Sequence, residues 1–280
     1  MTTPDSTFFK VERDGAIALI LLNRPDKANA MTPDFWADLP RIVDALARDE
    51  SVRCAIVAGE GRHFTGGMDL AAFASLAGLF RQEPGRAAYA MRDLILSLQN
   101  ALNALERARF PVVAAIHGAC LGGGIDLITA CDLRIASADA HFSIEEIHIG
   151  MAADVGTLQR LPRLIAPGIA AELAYTGRRF DAGEAKAIGL VSAVHADKEA
   201  TMAAARAMAH DIASKSPLAI AGIKRNLAYA RDHSVADGLD YIATWNAGML
   251  RPGDLMAAVQ AKMTKQEAGF ADLLSDQKLG

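Results

Sequence analysis

The chain has 280 residues, of which 51% are hydrophobic and 22% are charged, and its formal net charge at pH 7 is -4. A chain of this length and composition can bury a core of its own, which excludes disordered and fibrous proteins. The slight acidic excess excludes the basic surface through which proteins bind nucleic acids, and it gives no attraction to an anionic membrane.

Two buried strands and one helix are predicted in the first 60 residues. The apolar runs at residues 16–22 and 54–58 are typical of strands that are buried on both faces. Thr32 followed by Pro33 predicts the start of a helix, because threonine caps helices and proline fits their first turn. Pro40 lies inside this predicted helix and is able to kink or split it.

The middle of the chain alternates weakly patterned segments with further strands and helices. Residues 64–85 are rich in glycine and alanine and predict a loop with a short helix, after which an amphipathic helix follows. Buried strands are predicted at residues 110–116 and 133–136. Between them lie a glycine-dense turn at 118–124 and a helix at 125–130. Short strands that alternate with helices favour an α/β fold with largely parallel pairing.

The last part of the chain is predicted to be helical. Strand patterns stop at about residue 197, and helical patterns then follow at residues 197–213, 216–231, 234–250 and 252–268. The sequence therefore predicts two regions, an α/β core over residues 1–200 and a helical region over residues 201–280. A helical region after an α/β core favours a role in assembly.

Cysteine usage and the two chain ends bear on the compartment. Cys54, Cys120 and Cys131 are odd in number and form no C-x-x-C pair, which favours a reducing compartment over a disulfide framework. The first ten residues lack the basic and apolar regions of a signal peptide, and residues 278–280 are not a peroxisomal tripeptide. No apolar run approaches the ~20 residues that span a bilayer. These observations predict a cytoplasmic protein.

Several common catalytic motifs are absent from the sequence. It contains no Walker phosphate-binding loop, no strand-linked G-x-G-x-x-G, no G-x-S-x-G and no H-E-x-x-H. His141 and His148 stand near each other without a neighbouring set of ligands, so no metal site is predicted. A nucleotide-binding fold, a serine hydrolase and a zinc protease are therefore disfavoured.

Two glycine-rich turns are candidates for an oxyanion-binding site. Residues 117–126, HGACLGGGID, place glycines where a strand ends and a helix begins, and the free N–H groups of a helix start favour negative charge. Residues 64–69, FTGGMD, form a similar turn after another strand. Two such turns can each offer one N–H group to the same oxygen. The alternative for the first turn is tight packing between strand and helix, and the alternative for the second is an ordinary loop.

Three carboxylates lie near these turns in the sequence. Asp126 is one turn into the glycine-started helix, and Glu146 and Asp154 follow it along the chain. Carboxylates that share a pocket push their proton affinities apart, which provides one acid and one base at neutral pH. The alternative for Asp154 is the N-cap of a helix that starts near Gly156, and the alternative for Asp126 is a structural hydrogen-bond acceptor.

These residues resemble the crotonase, or enoyl-CoA hydratase/isomerase, superfamily, and most closely its Δ3,5-Δ2,4-dienoyl-CoA isomerase branch. The similarity runs over residues 8–270. The glycine motif at 117–127 is common to the superfamily, whereas GMAADVGTLQRLP at 150–162 is more specific. Hydratases of the superfamily carry glutamate at the position of Asp126 and glycine at that of Asp154, so the two aspartates indicate the isomerase branch.

The resemblance implies an α/β fold in which repeated ββα units form a spiral core that holds the active site. It implies that the helical C-terminal region builds homotrimers, often paired as hexamers. The implied substrate is an acyl-CoA thioester. The resemblance implies no metal and no redox cofactor, and coenzyme A counts as part of the substrate.

The resemblance also implies a role for each candidate site residue. The backbone N–H groups of Met68 and Gly123 would bind the thioester oxygen. Glu146 would take the α-proton, Asp154 would protonate the far carbon, and Asp126 would tune the pair or hold its geometry. The choice of Glu146 over the neighbouring Glu145 rests on the register of the motif.

Three cations are candidates for binding coenzyme A by the same resemblance. Arg24 and Lys27 lie in a segment that in relatives meets the CoA nucleotide, and Lys265 lies near a position where relatives place a cation of the C-terminal helix. The alternative for all three is an exposed, solvated charge. An acyl pocket is expected along residues 70–89.

The sequence leaves three functions open. The first is a dienoyl-CoA isomerase of fatty acid β-oxidation, which moves two double bonds by a formal 1,5 proton shift. The second is an enoyl-CoA hydratase or Δ3-Δ2-enoyl-CoA isomerase on the same scaffold, with Glu146 and Asp126 flanking a water. The third is a non-catalytic oligomeric or RNA-associated protein, against which the net charge of -4 and the retained acids argue.

Overall fold

The computed structural model describes residues 5–274, except for the side chains of residues 73–77. The C-terminal tripeptide at 278–280 and the start of the N-terminal segment, at 1–4, lie outside the described residues. No helix within 5–274 is long and apolar enough to cross a membrane.

Nine strands form two sheets in the part of the chain that the structure describes. In chain order they are β1 Phe9–Asp14, β2 Ile17–Leu22, β3 Cys54–Gly59, β4 Val112–Ile116, β5 Ala119–Leu121, β6 Leu133–Ser137, β7 His141–Ser143, β8 Phe180–Asp181 and β9 Ala193–His195. The larger sheet has the order β1-β2-β3-β4-β6-β9 and the smaller sheet the order β5-β7-β8. In the larger sheet β1 is antiparallel to β2, and all other neighbours are parallel.

Eleven α-helices lie within residues 5–274. They are α1 Pro33–Arg48, α2 Leu70–Ala74, α3 Pro84–Arg107, α4 Gly123–Ala130, α5 Thr157–Arg160, α6 Pro167–Thr176, α7 Ala182–Ala187, α8 Lys198–Ala213, α9 Pro217–Ala230, α10 Val235–Met249 and α11 Pro252–Thr264. Short 3-10 helices occur at Pro25–Lys27, Ser75–Arg81, Glu146–Ile149 and Leu161–Arg163. The predicted α/β fold with largely parallel pairing is confirmed.

The larger sheet is buried on both faces because its central strands are apolar throughout. Every residue of β2, β3 and β4 is buried. Successive side chains point to opposite faces, so Ile20 and Val57 pack into the core beneath α1 and α3. Leu19 and Ile56 pack on the other face, against α8. The division at residue 200 stays a prediction, and the structure places the boundary helix α8 directly on the sheet.

Helix α1 shows why a proline inside a helical pattern need not end the helix. The helix is continuous through Pro40, so the expected split does not occur. Thr32 occupies the N-cap and Pro33 the first helical position, as predicted, but the Thr32 side chain makes no capping hydrogen bond. The helix holds because Phe35, Trp36, Leu39, Ile42, Val43 and Leu46 bury one whole face of it.

Five strands were missing from the sequence-based prediction. Strand β1 has the sequence FKVERD, whose four charged residues suit an edge strand and hide it from a search for apolar runs. Strands β5, β7, β8 and β9 have three residues or fewer, too few to show a period. Strand β5 lies inside the predicted glycine-dense turn, and it carries that turn to the edge of the smaller sheet.

Candidate active site

A cavity of about 790 Å³ lies between α1, α3 and the two glycine turns. Its apolar wall includes Trp36 and Pro40 of α1 and Leu94, Ile95 and Leu98 of α3. Its polar end is lined by residues of both glycine turns and by the acidic residues Glu145, Glu146 and Asp154. Apolar walls with a few convergent polar groups are typical of a binding site for a small molecule.

The two glycine turns contact each other directly. Thr65 N–H donates to the carbonyl of Ala119 at 2.9 Å, and Leu121 N–H donates to the carbonyl of Thr65 at 3.1 Å. Gly67 has a φ of +90°, and a Cβ at this position would lie only 2.7 Å from the carbonyl oxygen of Leu121. A glycine is therefore required where the turns meet.

The predicted oxyanion donors, Met68 and Gly123, are brought to the same cavity. Met31 bonds to the residues on both sides of Met68, accepting from Asp69 N–H at 3.0 Å and donating to the carbonyl of Gly67 at 2.8 Å. Gly123 is the first residue of α4, where a backbone N–H has no partner within the helix. Neither N–H group donates to an acceptor within residues 5–274. This geometry fits an oxyanion hole, and the assignment stays a prediction.

The contact between the turns predicts a large effect for Gly67→Ala. We expect the free energy of unfolding to fall by about 1–3 kcal/mol, because the new Cβ meets a carbonyl at a positive φ. We also expect kcat/KM to fall about 10²-fold, because the shift would displace Met68 N–H, the predicted oxyanion donor. Urea unfolding and steady-state kinetics measure both quantities. The matched control is Gly168→Ala in α6, where a Cβ meets nothing within 4 Å; equal effects in both variants would contradict the argument.

Asp126 is fully buried at the first turn of α4 and does not line the cavity. Its Oδ1 accepts a hydrogen bond of 2.6 Å from Thr157 N–H, the first N–H of α5, whereas its Oδ2 has no partner within residues 5–274. Burial raises the pKa of Asp126 to about 6, against the hydrogen bonding of Thr157 and the charge of Arg160. The structural role that the sequence left open for Asp126 is therefore present, and it tethers α5 to α4.

The N-cap role that the sequence left open for Asp154 does not occur. The N-cap of α5 is Gly156, and the carboxylate that binds the first N–H of this helix belongs to Asp126. Asp154 is half-buried and lines the cavity. Burial raises the pKa of its carboxyl group, opposed by a hydrogen bond from its own backbone.

Glu146 begins the 3-10 helix that follows β7 and lies against the second glycine turn. A Cβ on Gly122 would lie 3.5 Å from its Oε1, and its Oε2 has no hydrogen-bond partner within residues 5–274. Burial raises the pKa of Glu146 to about 7, and the negative charges of Asp126, Asp154 and Glu145 add to this. Glu146 thus stands beside the predicted oxyanion donors with a proton affinity suited to a base at neutral pH.

The raised pKa of Asp126 predicts a specific pH dependence of stability. The folded state holds this proton up to about pH 6, whereas an aspartate in the unfolded chain releases it near the ordinary aspartate pKa of 3.8. The folded state binds more protons between these values, so this group lowers the free energy of unfolding as pH rises. We expect wild type to lose about 1–3 kcal/mol more than Asp126→Asn between pH 4 and pH 8.

Urea unfolding at several pH values measures this difference. The matched control is Asp44→Asn on the exposed side of α1, which should follow wild type at every pH. Parallel pH curves for wild type and Asp126→Asn would contradict a pKa of Asp126 that burial raises above its ordinary value.

The structure places the three predicted CoA-binding cations away from the cavity wall, which none of them lines. Arg24 is already paired, since its Nη1 lies 2.5 Å from Asp69 Oδ2 and 3.1 Å from the carbonyl of Ala30. Lys27 is exposed in the first 3-10 helix, and Lys265 is exposed at the C-cap of α11. Their role toward coenzyme A stays a prediction.

Several residues of the cavity are not predicted from the sequence. Arg179 lines it, although nothing distinguishes it in the sequence from Arg178, which binds Glu172 and Glu184. The acyl pocket expected along residues 70–89 receives Leu70 and Ala72, but, among the side chains that the structure describes, most of the apolar wall comes from α1 and the later part of α3. Within residues 5–274 no group of three His, Cys, Asp or Glu side chains is placed to hold a metal ion.

Solved structures superimpose on nearly the whole chain. An enoyl-CoA hydratase from Bacillus anthracis has a TM-score of 0.86 and 30% identity, covering 95% of this chain and 99% of its own. An enoyl-CoA hydratase from Mycobacterium smegmatis has a TM-score of 0.82 and 29% identity, covering 94% of this chain and 99% of its own. The predicted crotonase-like architecture is confirmed.

Two curated relatives are more similar to the chain in sequence than these solved structures are. The mitochondrial Δ3,5-Δ2,4-dienoyl-CoA isomerase of Rattus norvegicus is 47% identical over 254 residues, which cover 89% of this chain and 77% of the rat protein. The peroxisomal Δ3,5-Δ2,4-dienoyl-CoA isomerase of Arabidopsis thaliana is 44% identical over 262 residues, which cover 93% of this chain and 94% of the plant protein. The resemblance to the isomerase branch is confirmed.

The predicted cytoplasmic location is wrong, because these relatives are named as mitochondrial and peroxisomal proteins. The prediction relied in part on Cys54, Cys120 and Cys131, which are all free and buried. Small thiols pack in cores like other apolar side chains, so their burial does not distinguish one compartment from another.

A family model supports the same relationship over most of the sequence. The model described as enoyl-CoA hydratase/isomerase matches residues 12–246. This range includes both glycine turns and the three carboxylates Asp126, Glu146 and Asp154. The chain belongs to the enoyl-CoA hydratase/isomerase family.

Proposed function

We propose that the protein is a Δ3,5-Δ2,4-dienoyl-CoA isomerase of fatty acid metabolism. The observation that carries the proposal is the presence of two acidic residues, Glu146 and Asp154, in the lining of one apolar cavity beside two glycine turns. A proton shift across several carbons needs an acid and a base at different points along the acyl chain. The rat and plant relatives that carry this activity in their names support the proposal.

In the proposed reaction the thioester oxygen receives hydrogen bonds from the N–H groups of Met68 and Gly123. These donors stabilise the negative charge that develops on the oxygen when the α-proton leaves. Glu146 removes that proton from C2, and the electron pair spreads over the conjugated chain as a dienolate. Asp154 then donates a proton to C6, and the double bonds move from positions 3 and 5 to positions 2 and 4.

The electrostatics of the cavity suit this division of work. Glu146, with a pKa of about 7, is deprotonated often enough to act as a base and basic enough to remove a proton from carbon. The raised pKa of Asp154 favours the protonated form that a donor needs. Asp126 does not line the cavity, so it acts on the reaction through the charge and position of its neighbours rather than on the substrate.

The proposed substrate is an acyl-CoA thioester, and the proposed reaction uses no metal and no redox cofactor. Coenzyme A enters as part of the substrate, and its phosphates are proposed to meet Lys27 and Lys265. Arg24 can join them only by sharing or leaving Asp69. The apolar wall formed by Trp36 and the leucines of α3 would hold the acyl chain.

The proposed assembly is a homotrimer or a pair of trimers. Its support is the set of exposed apolar side chains on the C-terminal helices, which include Leu227, Val235, Leu239, Met256 and Met263. Apolar surface of this kind is typical of subunit contacts. Light scattering should report three or six chains per particle, and a monomer at micromolar concentration would overturn this assembly.

The test of the proposed function is the addition of enzyme to a 3,5-dienoyl-CoA. The product has both double bonds conjugated with the thioester, so an increase in its ultraviolet absorbance is expected. Crotonyl-CoA is the parallel substrate, and its hydration should be slow. The absence of a dienoyl signal from folded enzyme, with rapid hydration of crotonyl-CoA, would show an enoyl-CoA hydratase instead.

A further inference from the structure

A second cavity, of about 340 Å³, lies behind the loop that carries Asp154. It shares Val155 with the first cavity, so the loop is the wall between the two. Its other walls are polar and include Gln99, Asn103 and Glu106 of α3 and Arg160 of α5. Asp154 lines the first cavity, whereas side chains of the second cavity form hydrogen bonds to the backbone of this loop.

Two hydrogen bonds from this second cavity hold the backbone of the loop. Gln99 Nε2 donates to the carbonyl of Asp154 at 2.7 Å, and Arg160 Nη1 donates to the carbonyl of Val155 at 3.3 Å. Within residues 5–274, no carbonyl from Met151 to Val155 accepts a hydrogen bond from another backbone N–H. The two side chains therefore supply restraint that regular secondary structure does not provide here.

Arg160 is itself held by the polar face of α3. Its Nη2 donates to Asn103 Oδ1 and, at 2.9 Å, to Glu106 Oε2. Glu106 also binds Arg231 of the C-terminal region. Gln99, Asn103 and Glu106 stand at helical spacing, so one side of α3 presents all three to the loop.

The packing of Arg160 depends on a glycine beside the loop. A Cβ at Gly156 would lie 1.7 Å from Arg160 Nη1, so only a glycine leaves room for the guanidinium group. The same guanidinium charge acts on the buried carboxyl group of Asp126. Arg160 therefore connects three parts of the molecule. They are α3, the loop that carries Asp154, and the hydrogen bond by which Asp126 of α4 holds the start of α5.

We propose that Gln99 and Arg160 are positioning residues, which hold the carboxyl group of Asp154 at the far end of the substrate's conjugated chain. This inference rests on the proposed isomerase function and assigns a further determinant to it. Neither side chain lines the substrate cavity, and each acts through a backbone carbonyl. Loss of either hydrogen bond should slow protonation at C6, which depends on Asp154. It should spare proton removal at C2, which depends on Glu146.

Gln99→Met is the variant that tests this proposal, because it keeps the length of the side chain and removes the donor. We expect kcat for dienoyl isomerisation to fall about 10- to 100-fold, the effect of a displaced catalytic group, with KM within about twofold of wild type. We expect exchange of the C2 proton with D₂O, followed by NMR, to continue within about threefold of the wild-type rate. A merely structural loosening of the cavity would change KM and slow both reactions.

The matched control is Gln159→Met, the same substitution in the same second cavity. Gln159 is exposed, and its side chain makes no hydrogen bond within residues 5–274, so both rates should match wild type. Arg160→Lys is the second variant and should show the same selective loss as Gln99→Met, because lysine cannot bridge Val155 and Glu106 in the same geometry.

Two results would overturn the proposal while leaving the proposed function intact. One is isomerisation by Gln99→Met within about threefold of wild type, and the other is a parallel loss of isomerisation and C2 exchange. A wild-type enzyme that does not isomerise 3,5-dienoyl-CoA at all would overturn the proposed function and this inference together.

Discussion

Asp154→Asn is expected to lower kcat for isomerisation about 10²- to 10⁴-fold, the range contributed by one positioned acid. The amide has the same size but carries no proton that it can donate to carbon. Glu146 is unchanged, so the C2 proton should still exchange with D₂O at close to the wild-type rate. Steady-state absorbance measures the first quantity, and NMR in D₂O measures the second.

The stability of Asp154→Asn should be close to that of wild type, because the side chain is half-buried and does not cap α5. The exposed Asp44→Asn controls for the chemical change and should leave both rates unaltered. If Asp154→Asn isomerises at the wild-type rate, the proton reaches C6 from another group. If C2 exchange is lost as well, the two carboxyl groups do not act at separate carbons.

Glu146→Gln is expected to abolish both reactions, with kcat and the rate of C2 exchange each lower by about 10²- to 10⁴-fold. Without a base beside the oxyanion donors no dienolate forms, so Asp154 has nothing to protonate. Substrate binding should change little, because the apolar wall and the glycine turns are untouched. Exchange of the C2 proton, followed by NMR in D₂O, is the more informative measurement.

Glu145→Gln is the matched control for this variant, since both glutamates line the cavity and are adjacent in the chain. The structure favours Glu146, whose carboxylate lies against Gly122 and has a buried oxygen without a partner within residues 5–274. Exchange that survives in Glu146→Gln and disappears in Glu145→Gln would move the role of the base to the preceding residue.

The parts of the site that the sequence predicts are those that short segments encode. A strand that ends in several glycines before a helix is visible as a local pattern, and so is the order of Asp126, Glu146 and Asp154 around it. The glycine turns meet because Thr65 forms a bridge with Cys120 and accepts a hydrogen bond from Leu121 N–H, a contact that the two similar turns suggested.

The parts that the sequence does not predict depend on contacts between distant residues. Gln99 and Asp154 are far apart in the chain and touch only after α3 packs on the core. The same is true of Arg24 and Asp69. The sequence offers Arg24 as a free cation for binding coenzyme A, but in the structure it forms an ion pair with Asp69. The sequence allows Asp126 to be a structural hydrogen-bond acceptor. It does not indicate that the donor is the backbone N–H of Thr157, the contact that tethers α5.

The proposed division of work is that one carboxyl group removes a proton from C2 and another delivers one to C6. It is tested most directly by a conversion of 3,5-dienoyl-CoA in D₂O, with the position of deuterium in the product read by NMR. The expected product is a 2,4-dienoyl-CoA with deuterium at C6, which Asp154→Asn should fail to form. Deuterium at C4 in a 2,5-dienoyl product, or a hydroxyl group at C3, would contradict it and show a single-bond isomerase or a hydratase.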